Sequence, residues 1–81
     1  MKDEKLTILT ELEQESDRWI AEVTELPGVL VYGSNEPEAI NKAKALALRV
    51  LAERLEHSEP TPGLGELFSV NSAFSNEALT T

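Results

Sequence analysis

The amino-acid sequence predicts a single α+β domain in which one long helix lies on one face of a mostly antiparallel sheet. Two patterns indicate this fold. Apolar and polar residues alternate over the first third of the chain, and apolar residues then recur at helical spacing from residue 36 to about residue 57. With 81 residues, the chain has room for one small domain. The expected order of elements is β-β-β-α-β.

The first two expected strands, residues 6–13 and 18–23, show period-two alternation. The polar run of residues 15–17 between them is typical of a hairpin turn. The side chains expected to point inward are Leu6, Ile8, Thr10, Leu12, Trp19, Ala21 and Val23.

A turn at Leu26-Pro27-Gly28 is expected before a short third strand, residues 29–32, because proline fixes its own φ and glycine accepts a positive φ. Gly33 ends the sheet. Asn35 is then a good N-cap for the helix, and Glu38 is placed to complete a capping box with it.

The helix is expected to run to about His57, and it has more apolar residues than one sheet face requires. Its predicted buried stripe is Ile40, Ala43, Ala47, Val50 and Leu51, and its additional apolar residues are Leu46, Leu48 and Leu55. Residues 67–70 are expected to form a fourth strand parallel to the first, since a helix commonly connects parallel strands. The organisation is therefore a core of residues 1–58, a loop with the fourth strand in 59–74, and a flexible tail in 75–81.

A single helix covers only one face of a sheet, so the second face is expected to be polar in a monomer. Here it combines carboxylates with apolar side chains, and this mixture favours an interface with a partner or a second copy. The alternative is that these are scattered exposed residues of an ordinary solvated face. The candidate interface consists of Leu9, Glu11, Glu13, Ile20, Glu22, Leu30 and Tyr32.

The formal net charge of −8 is concentrated in the first half of the chain. Residues 1–38 contain ten acidic and three basic residues, whereas residues 39–81 contain five and four. An acidic surface repels phosphate backbones, which disfavours direct nucleic-acid binding, and it suits a basic protein partner. The alternative is that the charge serves only solubility.

No residue set predicts catalysis, so the chain is expected to be non-enzymatic, with no catalytic residue, no metal and no cofactor. There is no cysteine, and the one histidine, His57, lies where it would favour the C-terminal end of the helix dipole. Glu11, Glu13 and Glu22 are candidates for acid–base chemistry or a divalent metal, but such residues more often form a solvated strand face.

The absence of cysteine fits a reducing compartment. The first residues do not resemble a signal peptide, and no apolar run approaches the roughly 20 residues of a membrane helix. We therefore expect a cytoplasmic protein that does not contact a membrane.

The segment from Trp19 to about residue 43 resembles the signature of HicB-like proteins. That signature has an aromatic strand, a Pro-x-Leu-Pro-Gly turn, a short strand, a glycine, a helix cap and Glu-Ala. The matching residues here are Leu26, Pro27, Gly28, Gly33, Asn35, Glu38 and Ala39. Thr24 replaces the first proline, and Val29 stands where cysteine is common.

This resemblance, which covers roughly residues 5–57, implies a partial RNase H-like fold without an RNase H active site. It also implies a role as the antitoxin of a toxin–antitoxin pair. Such domains bind a small basic ribonuclease of the HicA type. Many relatives add a C-terminal DNA-binding segment, and the turn-rich sequence after residue 58 does not resemble one. From the uncovered sheet face we further expect the chain to form a homodimer or larger oligomer.

Two alternatives remain open from the sequence. The first is an assembly protein whose sheet face forms a homo-oligomer with no toxin partner. The second is a small metal-dependent enzyme that uses the carboxylates of the candidate interface.

Overall fold

The computed structural model describes residues 5–72, which form three strands, one long helix and a short 3-10 helix. The strands are β1 (Ile8–Glu13), β2 (Arg18–Val23) and β3 (Leu30–Gly33). They are followed by α1 (Glu36–Glu56) and by the 3-10 helix at Leu64–Glu66. The predicted α+β class, with a three-stranded antiparallel sheet followed by one long helix, is confirmed.

The sheet has the strand order β1-β2-β3, with both pairs antiparallel. Ile8 lies opposite Val23, and Leu12 lies opposite Trp19. Directly opposed residues place their side chains on the same face of a sheet, so this register confirms the predicted inward face. Ala21 and Val23 are fully buried in it.

The turn between β2 and β3 is organised around Leu26. Its side chain is completely buried, its N–H donates to the carbonyl of Val23 at 3.1 Å, and its carbonyl accepts from Val29 at 3.0 Å. Gly28 has a φ of 93°, a left-handed conformation that an L side chain rarely adopts. The turn therefore needs an apolar residue and a glycine at these two positions.

The start of α1 is capped by Asn35, whose side-chain oxygen accepts from the N–H of Glu38 at 2.9 Å. The predicted capping box is corrected in one detail. The carboxylate of Glu38 accepts from the N–H of Ser34, one residue before the cap, and not from Asn35 itself. The side chain still satisfies a backbone donor that the sheet and helix leave free.

Small side chains bring α1 close to the sheet. The buried helix residues are Ala39, Ala43, Ala47 and Leu51, whereas Ile40 and Val50 of the predicted stripe are only half-buried. The closest approach is at Gly33, where a Cβ atom would lie 2.6 Å from the backbone nitrogen of Ala39. Only glycine fits this position without a shift of the helix.

The predicted fourth strand does not form in the described residues. The chain instead makes the 3-10 helix, whose Leu64 packs against the core. The N–H of Leu67 then donates to the carbonyl of Leu64 at 3.0 Å, so Leu67 has a helical rather than an extended backbone. A strand is held by hydrogen bonds from a neighbouring strand, and none of the described residues supplies them to residues 67–70. The expected tail, residues 75–81, lies outside the described residues.

We predict that Gly33→Ala lowers the free energy of unfolding by about 2 kcal/mol or more, because the new methyl group overlaps backbone atoms that cannot rotate away. Urea denaturation followed by circular dichroism measures the change. Gly65→Ala is the matched control, since a Cβ atom there meets nothing within 4 Å. Equal unfolding midpoints for the two variants would show that the helix does not depend on this close approach.

Candidate functional site

The face of the sheet turned away from α1, hereafter the outer face, brings together all seven residues of the predicted interface. The register arranges them in rows across the strands: Leu9–Glu22–Leu30, Glu11–Ile20–Tyr32, and Glu13–Arg18. Opposed side chains of an antiparallel pair lie roughly 5 Å apart, so the members of each row are neighbours. The predicted site is therefore a contiguous surface.

The apolar part of the outer face is well exposed. Leu9, Leu30 and Tyr32 expose 53%, 45% and 40% of their surfaces, and Ile20, which lies between Glu11 and Tyr32, is half-buried. These four residues span all three strands. Exposed apolar residues are common when they occur singly, but a group that crosses a whole sheet is typical of an interaction surface.

Across the strands, two of the three carboxylates of the outer face lie beside apolar side chains. Glu22 lies between Leu9 and Leu30, and Glu11 lies opposite Ile20. Within residues 5–72, no three His, Asp or Glu side chains are close enough to hold a metal ion. The arrangement mixes negative charge with apolar side chains and does not form a ligand cluster.

Arg18 is a member of this face that the sequence analysis missed. Its guanidinium lies 4.0 Å from the centroid of the Tyr32 ring and 3.0 Å from the carboxylate of Glu13. A guanidinium over an aromatic ring is attracted by the negative face of the π-system. The contact joins the turn end of the β1–β2 hairpin to β3, and only the strand register reveals it.

The exposed Glu13 side chain has a pKa below its ordinary value. The main cause is a hydrogen bond from the Ser16 hydroxyl, followed by the hydrogen bond from Arg18. The carboxylate therefore stays ionised to lower pH than a free glutamate and holds Arg18 against Tyr32.

The other predicted site residues have structural positions. Leu26, Pro27 and Gly28 form the β2–β3 turn, Gly33 underlies the helix, and Asn35 and Glu38 cap it. None of these six belongs to the outer face.

His57, the one histidine, lies just after α1, where its Nδ1 is 2.8 Å from the carbonyl oxygen of Glu53. Its surroundings are Val50, Glu53, Arg54 and Glu59, which line a shallow hollow at the end of the helix. The ring therefore contacts the end of its own helix. No serine, threonine or tyrosine side chain is among the described residues that line the hollow.

Comparison with protein-family models, with curated proteins and with solved structures gives no match for this chain. In the part of the chain that the structure describes, no helix has the length and apolar character needed to cross a membrane.

We predict that stability falls as the pH drops below about 4.5, the ordinary pKa of glutamate. Hydrogen bonds from the backbone N–H of Ser34 and of Thr7 lower the pKa values of Glu38 and Glu25 in the folded protein. A lowered folded pKa stabilises the protein above the unfolded value, and this contribution is lost as the pH falls through the folded pKa.

Thermal unfolding at several pH values checks this, with Glu38→Gln as the comparison. The variant lacks one of the titrating carboxylates, so its melting temperature is expected to fall less steeply than that of the parent below pH 4.5. Parallel curves for the two proteins would exclude Glu38 as a source of the acid sensitivity.

Proposed function

We propose that this chain is a non-catalytic protein-binding domain of the HicB-like antitoxin type, and that its outer face binds and neutralises a small basic ribonuclease of the HicA type. The observation that carries the proposal is the composition of the outer face. Its apolar residues, hereafter the apolar centre, are Leu9, Ile20, Leu30 and Tyr32. They are interspersed with three carboxylates, and no described element covers them.

The apolar centre supplies the surface that a stable complex must bury. Protein interfaces commonly have an apolar core that includes aromatic residues, with a polar rim around it. Tyr32 is a large side chain that Arg18 already contacts in the absence of a partner. Such preorganisation reduces the entropy lost on binding.

The charge of the outer face selects the kind of partner. Glu11, Glu13 and Glu22 accompany one base, Arg18, on the face, and the chain as a whole has a net charge of −8. A ribonuclease binds RNA through a positively charged surface, so carboxylates on the outer face are suited to oppose that surface in place of phosphates. The same charge repels nucleic acid, and direct binding of operator DNA therefore has no part in the proposed function.

The proposal assigns the carboxylates to binding and not to catalysis. Glu11 and Glu22 are each opposed to apolar residues in the register, and no described side chain forms a nucleophile–base pair with them. No cofactor is required. A partner that cleaves cellular RNA acts in the cytoplasm, and this is where the proposal places the protein.

Inhibition of a purified HicA-type ribonuclease by the chain tests the proposal. Leu9→Lys is expected to weaken inhibition at least about tenfold, because a charge is placed in the apolar centre and faces a basic partner. Leu55→Lys is the matched control: it makes the same substitution at nearly equal exposure, 56% against 53%, on the helix. Inhibition is also expected to decrease with added salt.

Two outcomes would contradict this proposal. One is no inhibition by the parent chain at micromolar concentration. The other is equal loss of inhibition in the Leu9 and Leu55 variants, because that result would show that inhibition does not depend specifically on the outer face.

A second candidate function is a homo-oligomeric assembly protein without a toxin, which the exposed apolar residues of the outer face also favour. In that case Ile20→Lys and Tyr32→Lys are each expected to lower the sedimentation mass while the circular dichroism spectrum is retained. An unchanged mass in both variants would refute an oligomer built on this face.

A further inference from the structure

We infer that a second copy of this chain donates its residues 67–70 as a strand to the free edge of β1, and that the two copies exchange these segments reciprocally. The inference is independent of the ribonuclease-binding role, because it concerns a different surface of the molecule. It rests on an open strand edge, an apolar groove beside that edge, and an exposed segment in the same chain that fits both.

The two edges of the sheet differ in how their backbone groups are satisfied. At the β3 edge, the carbonyl of Tyr32 accepts from the ammonium of Lys42 at 3.2 Å, and the N–H of Leu30 donates to Gly28 at 3.1 Å. A charged side chain along an edge is a common protection against pairing with another strand. The β3 edge is therefore blocked at two of its outward-facing backbone groups.

β1 carries two charged residues, Glu11 and Glu13, but no side chain of the described residues bonds the outward-facing backbone groups of this strand. The carbonyl of Thr7 accepts from Thr24 at 3.3 Å, so odd-numbered residues of this segment turn their backbone groups toward β2. In an antiparallel pair the alternate residues turn theirs away. Ile8, Thr10 and Leu12 thus present N–H and C=O groups at the free edge, and no hydrogen bond within residues 5–72 reaches these groups.

A groove of about 270 Å³ lies beside this edge, between the start of β1 and α1. Leu6 and Ile8 form one wall, and Leu48 and Leu51 form the other. Leu48 exposes 55% of its surface, although it belongs to the face of α1 that is turned toward the sheet edge. The helix contacts β1 less than it contacts β2 and β3, which leaves the groove uncovered.

Residues 67–70 have the properties of the strand that would fill this space. The sequence Leu-Phe-Ser-Val is rich in residues that favour strands, and Leu67, Phe68 and Val70 expose 61%, 68% and 90% of their surfaces. Three large exposed apolar residues in four positions are a strong driving force for association. Their apolar side chains suit the apolar walls of the groove. Their backbone could pair with the free N–H and C=O groups of β1.

The exposed apolar segment belongs to this same chain, so the occupant that we infer is a second copy that docks through it. Two chains of net charge −8 repel each other, and the outer face, with three acids and one base, would oppose its own copy. Residues 67–72 have no charged side chain, and among residues 5–72 Lys44 is the one charged residue that lines the groove. The donated segment therefore brings no carboxylate of its own into the groove.

The position of the segment favours exchange over folding back within one chain. Leu64 packs against the core, and the turn from Leu64 to Leu67 then leads the following residues into solvent and not onto their own β1. Reciprocal donation closes the assembly as a two-fold dimer, in which each copy is both donor and acceptor. The outer face stays free in that dimer.

Thiol cross-linking between differently labelled chains tests the exchange, since the chain has no native cysteine. A chain with Glu11→Cys, on β1, is mixed with a chain with Ser69→Cys and treated with a short bismaleimide. The expected product is a cross-linked pair that contains one chain of each kind. Ser34→Cys, an exposed residue just after β3, replaces Glu11→Cys in the control and is expected to give no such pair.

Two results would overturn the inference. One is the absence of the mixed pair above the control level. The other is a cross-link confined to one chain when Glu11→Cys and Ser69→Cys are combined in the same molecule, because this would show that the segment returns to its own β1.

Sedimentation separates this dimer from one built on the outer face. Leu67→Lys is expected to raise the dimer dissociation constant at least about tenfold, because a lysine would enter an apolar groove. Leu30→Lys, on the outer face, is expected to leave it unchanged. The opposite result, with only Leu30→Lys dissociating the dimer, would overturn the inference, and so would a monomeric parent chain.

Discussion

The structure depends on the close contact of one helix with one face of a small sheet. Gly33 and the alanines at 39, 43 and 47 allow α1 to approach the sheet closely, and the resulting core consists mainly of small and medium side chains. A core of this size stabilises a domain only modestly. The contact also fixes which surfaces are left uncovered, because a helix that packs closely over β2 and β3 cannot also enclose the β1 edge.

Two uncovered surfaces follow from that packing, and their chemistry differs. The outer face combines an apolar centre with carboxylates and therefore suits a basic partner. The groove beside the β1 edge is lined mainly by apolar side chains, and the edge presents unpaired backbone groups, which suits an apolar strand. A dimer joined at the edge would present two outer faces, so that self-association and partner binding would not compete for one surface.

Much of the fold and of the candidate site could be predicted from local pattern. Alternation assigned Leu9, Ile20, Leu30 and Tyr32 to one face correctly because successive side chains of a strand point to opposite faces. The turn at Gly28 and the cap at Asn35 were predictable because their backbone conformations favour particular residues. Arg18 was missed because its contact with Tyr32 joins different strands and depends on register. The prediction of a fourth strand was wrong. The composition of residues 67–70 favours a strand, but a strand also needs a neighbouring strand to pair with, and composition does not provide one.

The sequence by itself determined the class of fold, the two faces of the sheet and the ends of the helix. These features depend on residues within a few positions of each other, where side-chain periodicity and backbone preference act directly. Only the tertiary structure decided how closely α1 lies on each strand, which sheet edge is blocked by Lys42, and where the segment after Leu64 runs. Those outcomes depend on distances between elements far apart in the chain, which are set by the packing of the whole domain.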